Sequence, residues 1–302
     1  MDAHGASLLT PYNVVVSGNF ADASTDVGGG LVVGGTATLN SFNIAGALDG
    51  ETLTSLPSSA TFVAAAGVSG EAGLAAGNYY FPGTDSTFYN NGSGSKLGSD
   101  PLTISSMFST FTSLSNAWAA YGTTSGDSCT VNGTSTTCTV TKTGMNVINV
   151  SASAVASGQT LVIKGVSGAD WLIINVTGTS GTLSGNMTID GAGNGGDQSP
   201  AAAEDVLFNF YQAGSLTLGG SSMGSVLAPG AAVTGDGGQF VGSLVAASFT
   251  AGSSGGTEFH NYYFQGGTPE PATLAGVGVG LIALALALKR KLPGAHSPGG
   301  RA

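Results

Sequence analysis

Positive charge is what this sequence most lacks. No arginine occurs before Arg290, and Lys96, Lys142 and Lys164 are the only lysines before Lys289, set against seventeen acidic residues. A body so charged repels phosphate backbones, which argues against nucleic acid as a partner. Charged residues of either sign make up only 8% of the 302 positions, so few side chains can do acid or base work. Histidine is limited to His4, His260 and His296, and hydrolase templates built on a His base therefore lack parts. Polysaccharide lyases, which rely on basic residues to neutralise acidic sugars, are equally short of material. A carboxylate pair converging in space is the one enzymatic arrangement left open. The sequence predicts a non-enzymatic protein with no cofactor.

Long hydrophobic runs are also absent before residue 272. Apolar residues nevertheless make up 41% of the chain, alongside 51 glycines, and they come in short runs. YNVVVSGNF, LVVGGTATL and SFNIAGAL open the body, and MNVINVSASAV, QTLVIKGV, DWLIINVTG, DVLFNFYQAGSLTLGG, GSVLAPGAAVTG and FVGSLVAASFT follow later. Three to five β-branched or apolar residues between glycine turns read as short strands. The fold class is mainly β, and irregular spacing suits a discontinuous β-solenoid of stacked rungs. One segment departs from this pattern. Asp100-Pro101 forms a helix-start pair, and Leu102, Met107, Phe108, Phe111, Leu114, Trp118 and Tyr121 fall on one stripe, predicting a flanking helix over about 101–121. Residues 50–98 read as a partly ordered insertion with a strand at NYYF, 78–81.

Cysteine is nearly absent. Cys129 and Cys138 enclose TVNGTSTT, and Asn132-Gly133 predicts a two-residue hairpin turn that brings the thiols near each other. In an exported chain this pattern favours a disulfide over two free thiols. Glu258 and His260, two apart on a strand, share one face and are candidate metal ligands, but two ligands do not complete a site. Asp22, Asp26 and Asp49 are candidate calcium carboxylates without the D-x-D-x-D spacing of a calcium loop. Threonine-rich strands at 36–38 (TAT) and 137–141 (TCTVT) offer hydroxyls for ice or carbohydrate. The linear spacing shows no regular ranks of them, so the expectation is ordinary solvent-facing strand residues.

The C-terminus carries the strongest signal. Pro269-Glu270-Pro271 precedes the apolar run 272–288, and Lys289, Arg290 and Lys291 follow. Seventeen helical residues span about 26 Å, just enough for a transmembrane helix, and the basic cluster stays cytoplasmic. This order resembles the PEP-CTERM sorting signal of exported Gram-negative proteins. The resemblance implies an exosortase-type processing enzyme as partner, transient anchoring in the inner membrane, and final residence at the cell surface or in the extracellular matrix. The tail after the basic cluster, LPGAHSPGGRA, is longer than that pattern and leaves a permanent anchor open. At the other end, Ala3-His4-Gly5 looks like the small-x-small end of a signal peptide, so residues 1–5 read as a possible remnant of a leader.

Between these ends the body resembles the choice-of-anchor A family. The matching stretches are NVVVSGNFADASTDVGGGLVVGGTATL, DVLFNF, GSVLAPGAAV, and Glu258-Phe259-His260-Asn261 followed by Phe264 and Gly266. That resemblance implies an extracellular domain over 6–266, similar to ice-binding-like adhesive domains. Their fold is an irregular right-handed β-solenoid with one long flanking α-helix, and their implied role is adhesive or structural within biofilm exopolysaccharide. Residues 267–302 form the sorting signal. Anchor and address are separable by mutation. Leu281→Arg costs about 2.5–3.5 kcal/mol of insertion and should release the precursor from the membrane. Alanine at 269–271 leaves the span intact and should trap uncleaved protein in the membrane. Fractionation and mass measurement with the exosortase present and deleted check both outcomes, and unchanged processing of the alanine variant would sink the address.

Overall fold

In the computed structural model the described residues are 12–46, 60–84, 86–92, 94–166, 171–193 and 200–266. Strands dominate them, and most pairs are parallel. The chain winds in coils, laying one strand of each coil beside the equivalent strand of its neighbour. Nine strands define the longest path: Tyr79–Tyr80, Phe62–Ala64, Gly30–Val33, Tyr12–Val16, Leu244–Ala251, Ser225–Gly235, Val206–Asn209, Trp171–Thr177 and Met145–Ser151. At about 4.8 Å per spacing they stack over about 38 Å. The order is not the order of the sequence. The chain starts in the middle of the stack, coils outward to Tyr79–Tyr80, crosses to the opposite end, and coils back until Leu244–Ala251 pairs with the strand it began from.

The crossing element is the helix α1, Ile104–Ala119, whose buried residues Phe108, Phe111, Ser115 and Trp118 form a single stripe. It lies on the outer face of the nine-strand path. Val15, Val32, Val63, Val147, Ile173, Leu207, Leu227 and Val245 project from that face into one apolar cluster with Phe108, Phe111 and Trp118 of the helix, while Val14, Val16, Leu31, Val33, Ile174 and Val226 project into the coil interior. Burial on both faces is why these strands read as continuous valine and isoleucine runs instead of alternating. Each fully buried side chain of this kind contributes about 1.5–3 kcal/mol relative to exposure.

Helix and sheet are joined by a ladder of asparagines that the sequence reading did not single out. Asn149, Asn175 and Asn209 stand in register on adjacent strands. Asn209 donates to Ser115 O and to Asn175 Oδ1, both at 2.8 Å, and accepts the Ser115 hydroxyl at 2.6 Å. Asn175 donates to Trp118 O at 2.8 Å and to Asn149 Oδ1 at 2.9 Å, and Asn149 donates to Tyr121 O at 3.0 Å. The fit has a simple origin. Three helical residues rise about 4.5 Å, close to the spacing of strands, so carbonyls 115, 118 and 121 descend in step with the coils. The Asn175 and Asn149 amides thereby serve carbonyls at the last turn of the helix and just past it, where no further helical turn follows to supply donors.

Several expectations need correction. The helix begins at Ile104, not 101, because Asp100 Oδ1 accepts the Leu102 N–H at 2.9 Å in a turn before Thr103 starts the helix. A second, short helix occupies Pro200–Glu204. The supposed insertion is part of the stack: Phe62–Ala64, Gly67–Ser69, Ala72–Leu74, Tyr79–Tyr80 and Phe88–Asn90 all pair with neighbouring coils. The cysteines do pair, but the turn sits one residue later than expected. Gly133, at φ +60°, and Thr134 form the loop between Ser128–Asn132 and Ser135–Thr139, a register that sets Cys129 opposite Cys138. Closing this ten-residue segment is worth about 2–3 kcal/mol in the chain-entropy account. No helix among the described residues is long and apolar enough to cross a membrane. Residues 1–5, 272–288 and the sorting motif lie outside the described residues.

The ladder predicts a specific weakness. Asn175→Ala strips a donor from the Trp118 carbonyl and breaks both neighbouring amide bonds in a buried setting. It should cost about 2–4 kcal/mol in denaturant unfolding. Asn186→Ala, at an exposed position, should stay within about 0.5 kcal/mol of the parent. Equal midpoints for the two variants would refute the role of the ladder.

Candidate binding face

After seven of the nine helix-side strands the chain turns or bends at a corner into a second strand segment, and these second segments form a face of their own. Across seven of them the register aligns Ser69, Thr38, Ala21, Thr250, Thr234, Thr217 and Thr182 in one outward rank. A second rank, two residues earlier on each strand, includes Thr36, Ser248, Ala232, Ser215 and Ser180. Residues between the ranks point inward: Phe20, Ala37, Val233, Leu216 and Phe249 are buried. Phe20 stacks on Phe249 with ring centroids 5.1 Å apart, directly beneath the face.

Strand geometry sets the array at about 4.8 Å along each rank and about 6.7 Å between ranks. Neither rank contains a charged side chain. Threonine is restricted at χ1, so its hydroxyl and methyl are held in place before any ligand arrives. Hydroxyls also meet along the rank, with Ser69 Oγ donating to Thr38 Oγ1 at 3.2 Å. The corners depend on close stacking: at Gly34 an added Cβ would collide with the Ser17 carbonyl of the adjacent coil.

Two shallow hollows mark the face. One, of about 390 Å³, is lined by Ala21, Thr38, Asn40 and Thr250 with the glycine-rich turn after Ala251. The other, of about 460 Å³, lies where Ala152, Ser153 and Ala156 flank Ser180, Thr182, Ser215 and Thr217. Asp22 borders the first hollow. It is only 4% exposed, and it accepts the Ala23 N–H at 2.8 Å and the Thr257 N–H at 3.3 Å. Burial pushes its carboxyl up to about 7 against these hydrogen bonds, and the neighbouring Asp26 carboxylate adds to the rise.

The residues singled out from sequence fall in different places. Thr36 and Thr38 lie on the hydroxyl face, whereas Thr137 and Thr139 belong to a separate five-stranded sheet with the disulfide hairpin. Glu258 Oε1 lies 3.4 Å from His260 Nε2 on the strand Thr257–His260, and His260 is 2% exposed, with its carbonyl accepting from Asn13 Nδ2 at 3.0 Å. Among the described residues no three His, Cys, Asp or Glu side chains are grouped to hold a metal. Asp49 lies outside the described residues. Gly220-Ser221-Ser222-Met223-Gly224 has the spacing of a hydrolase nucleophile elbow. However, Ser222 is buried on a strand and donates its hydroxyl to Gly219 O at 2.7 Å.

The expectation that the hydroxyls form no regular ranks is overturned. A signal was present: Thr36-Ala37-Thr38, Ser180-Gly181-Thr182, Ser215-Leu216-Thr217 and Ser248-Phe249-Thr250 repeat one hydroxyl-x-Thr pattern at irregular intervals. The intervals vary with corner and loop length, and only the strand register turns the pattern into ranks.

Fold and face together define a mainly parallel-β protein that presents an uncharged, ordered hydroxyl array. The chain belongs to the ice-binding-like adhesive domain family, whose model matches residues 5–261. No curated protein sequence matches it. Among solved structures it is similar to an ice-binding protein from an Antarctic biological consortium, at 12% identity and TM-score 0.34, covering 85% of this chain and 88% of that one. It is also similar to an ice-binding protein from the Antarctic ascomycete Antarctomyces psychrotrophicus, at 16% identity and TM-score 0.36, covering 85% and 98%. The assignment rests on the family model, since these two likenesses are too distant to carry weight.

Asp22 gives the region a pH dependence. A carboxyl raised in the folded state contributes stability that is complete below its unfolded value near 3.8 and is lost as pH rises through about 7. Glu204, also raised by burial, acts in the same sense. Asp22→Asn keeps an acceptor for both N–H groups without the charge. It should therefore be more stable than the parent at pH 8, by about 1–3 kcal/mol, with a shallower decline from pH 4 to 8. Thermal unfolding across that range checks this, and parallel curves for the two proteins would refute it.

Proposed function

We propose that this protein is an exported, non-enzymatic adhesin of the bacterial surface or biofilm matrix, and that the hydroxyl face is its adhesive surface. The observation that carries the reading is the alignment of small hydroxyl residues in two uncharged ranks across the stack. Such a face suits an extended, repetitive, uncharged target, either ice or neutral carbohydrate. Membership of an ice-binding-like adhesive family supports the same class of role.

The finer reading is that of a choice-of-anchor A body, wound as an irregular right-handed β-solenoid in keeping with the near-universal hand of parallel crossovers. A PEP-CTERM signal at Pro269, Glu270 and Pro271 delivers it, an exosortase-type enzyme removes the tail, and the inner membrane is a temporary station. The non-enzymatic reading rests on the scarcity of basic and histidine side chains in the body.

Replacing Thr234 and Thr250 together by tyrosine places bulk at two exposed positions in the middle of the first rank. Attachment of host cells to matrix-coated surfaces should fall by about tenfold or more. A tyrosine at Thr188, on the five-stranded sheet, should leave attachment unchanged. Equal attachment by both strains at equal surface levels would refute the assignment of the face.

A further inference from the structure

The two hollows bear on what the face holds, a question that rests on the reading of the face as the adhesive surface. We propose that they are subsites for a single uncharged polyhydroxyl polymer, a neutral polysaccharide strand lying across the coils.

Charge selects the class. The ranks carry no ionised side chain, and the rest of the body is strongly acidic. Polymers of uronate, sulfate or phosphate are repelled, and the one carboxyl that borders a hollow, Asp22, is 4% exposed and turned inward. Shape narrows it further. Seven strands make the array about 29 Å long, while its two ranks are about 6.7 Å apart, so the face is a strip and not a broad plane. Along this strip the first hollow falls where Ala21 interrupts the hydroxyl rank, with Thr38 and Thr250 on either side. The second falls at Thr217 and Thr182, and Thr234 stands exposed between the two. A rigid crystal plane resting on the crest at Thr234 bridges the hollows without filling them, whereas a chain of rings follows the relief.

The chemistry of the lining agrees. Hydroxyls of Thr38, Thr250, Ser215 and Thr217 each donate and accept, and the exposed Asn40 amide does both, matching sugar hydroxyls of either polarity. Between them the Ala21 methyl and Gly181 offer small apolar surfaces on which the less polar face of a ring can rest. The threonines are held by χ1, so ordering them costs little on binding.

The test uses the full chain in mild detergent, with retention measured on amorphous cellulose and amylose as neutral probes, on alginate as an acidic one, and on ice. Retention on a neutral glucan is expected, with alginate at least tenfold weaker. Thr38→Tyr fills the first hollow and Ser215→Tyr the second, and each should weaken glucan binding about tenfold while Thr188→Tyr does not. If a tyrosine lowers the melting temperature, Thr38→Val and Ser215→Ala remove the hydroxyls without bulk and should weaken binding in the same direction. Adsorption to ice without retention on either glucan overturns the polymer assignment and leaves the adhesive face standing. Equal retention on alginate, or glucan binding indifferent to both hollow variants, also overturns it. Cell attachment that is unaffected by blocking the face, by contrast, overturns the adhesive reading itself.

Discussion

The interaction on which the rest of this structure depends is the pairing of its first described strand with its last long one. Val14, Val15 and Val16 lie against Leu244, Val245 and Ala246, about 230 residues away in sequence. On one side of that seam are the coils built from residues 12–90, and on the other those built from 145–260. Without it neither half has a neighbour at its inner edge, and two rows of unpaired backbone groups are exposed. Asn13 clamps the join, donating to Gly242 O at 2.7 Å and to His260 O at 3.0 Å while accepting the Gly29 N–H at 3.3 Å. Beneath it Phe20, Phe249 and Phe259 pack together. The hydroxyl rank crosses the same seam between Ala21 and Thr250, so the binding face does not exist until the ends of the chain have met. Contacts this distant in sequence are slow to form, because loop closure precedes any gain from pairing.

The helix solves a problem that this topology creates. A chain that starts in mid-stack and fills one end must be carried to the other, and a covered route is available only along the outer face of the nine-strand path. That face would otherwise expose a row of valines and leucines. A helix of 16 residues spans about 24 Å of the journey, and short extended segments before and after it supply the remainder. The near-equality of three helical rises and one strand spacing lets a single polar row hold its lower end. The same row runs onward as Leu227, Val245, Val15, Val32, Val63 and Tyr80, so the contact changes from amide ladder to apolar packing as it climbs.

How much of this was legible in the sequence depended on whether the signal was local. The helix stripe at Phe108, Phe111 and Trp118 repeats within a dozen residues, and it was readable to within three residues at its start. Strands such as YNVVV and DWLIINV carry enough β-branched side chains to be recognised alone. Phe62–Ala64, Gly67–Ser69 and Ala72–Leu74 do not, since they are three residues each and rich in glycine and alanine. They are strands because the coil below offers them a ladder. The hairpin turn was placed one residue early because Asn-Gly favours two positive φ angles, whereas the loop adopted needs glycine only at its first position. The asparagine ladder, and the alignment of the hydroxyl-x-Thr segments into ranks, were hidden for a common reason. Neighbouring members are separated by intervals that run from 16 and 17 residues through 26 to 35 to more than 200, and no fixed period links them.

The irregular period is also what permits the protein to differentiate its sides. A strict repeat would give each coil the same corners and the same faces. Here the helix-side strands are buried on both surfaces, and the second strands alternate buried residues with exposed hydroxyls. Charges are kept off the hydroxyl ranks: Glu71, Asp236, Lys164 and Asp190 lie at corners or on other sheets, and Asp22 is turned inward beneath the array. Solubility therefore comes from an acidic remainder, while the face itself stays neutral. A surface composed this way gains little from electrostatic steering and little from any single contact. Its affinity has to come from many weak, pre-set hydroxyl contacts made at once, which is the regime of attachment to an extended repetitive target and not of capture of a small molecule.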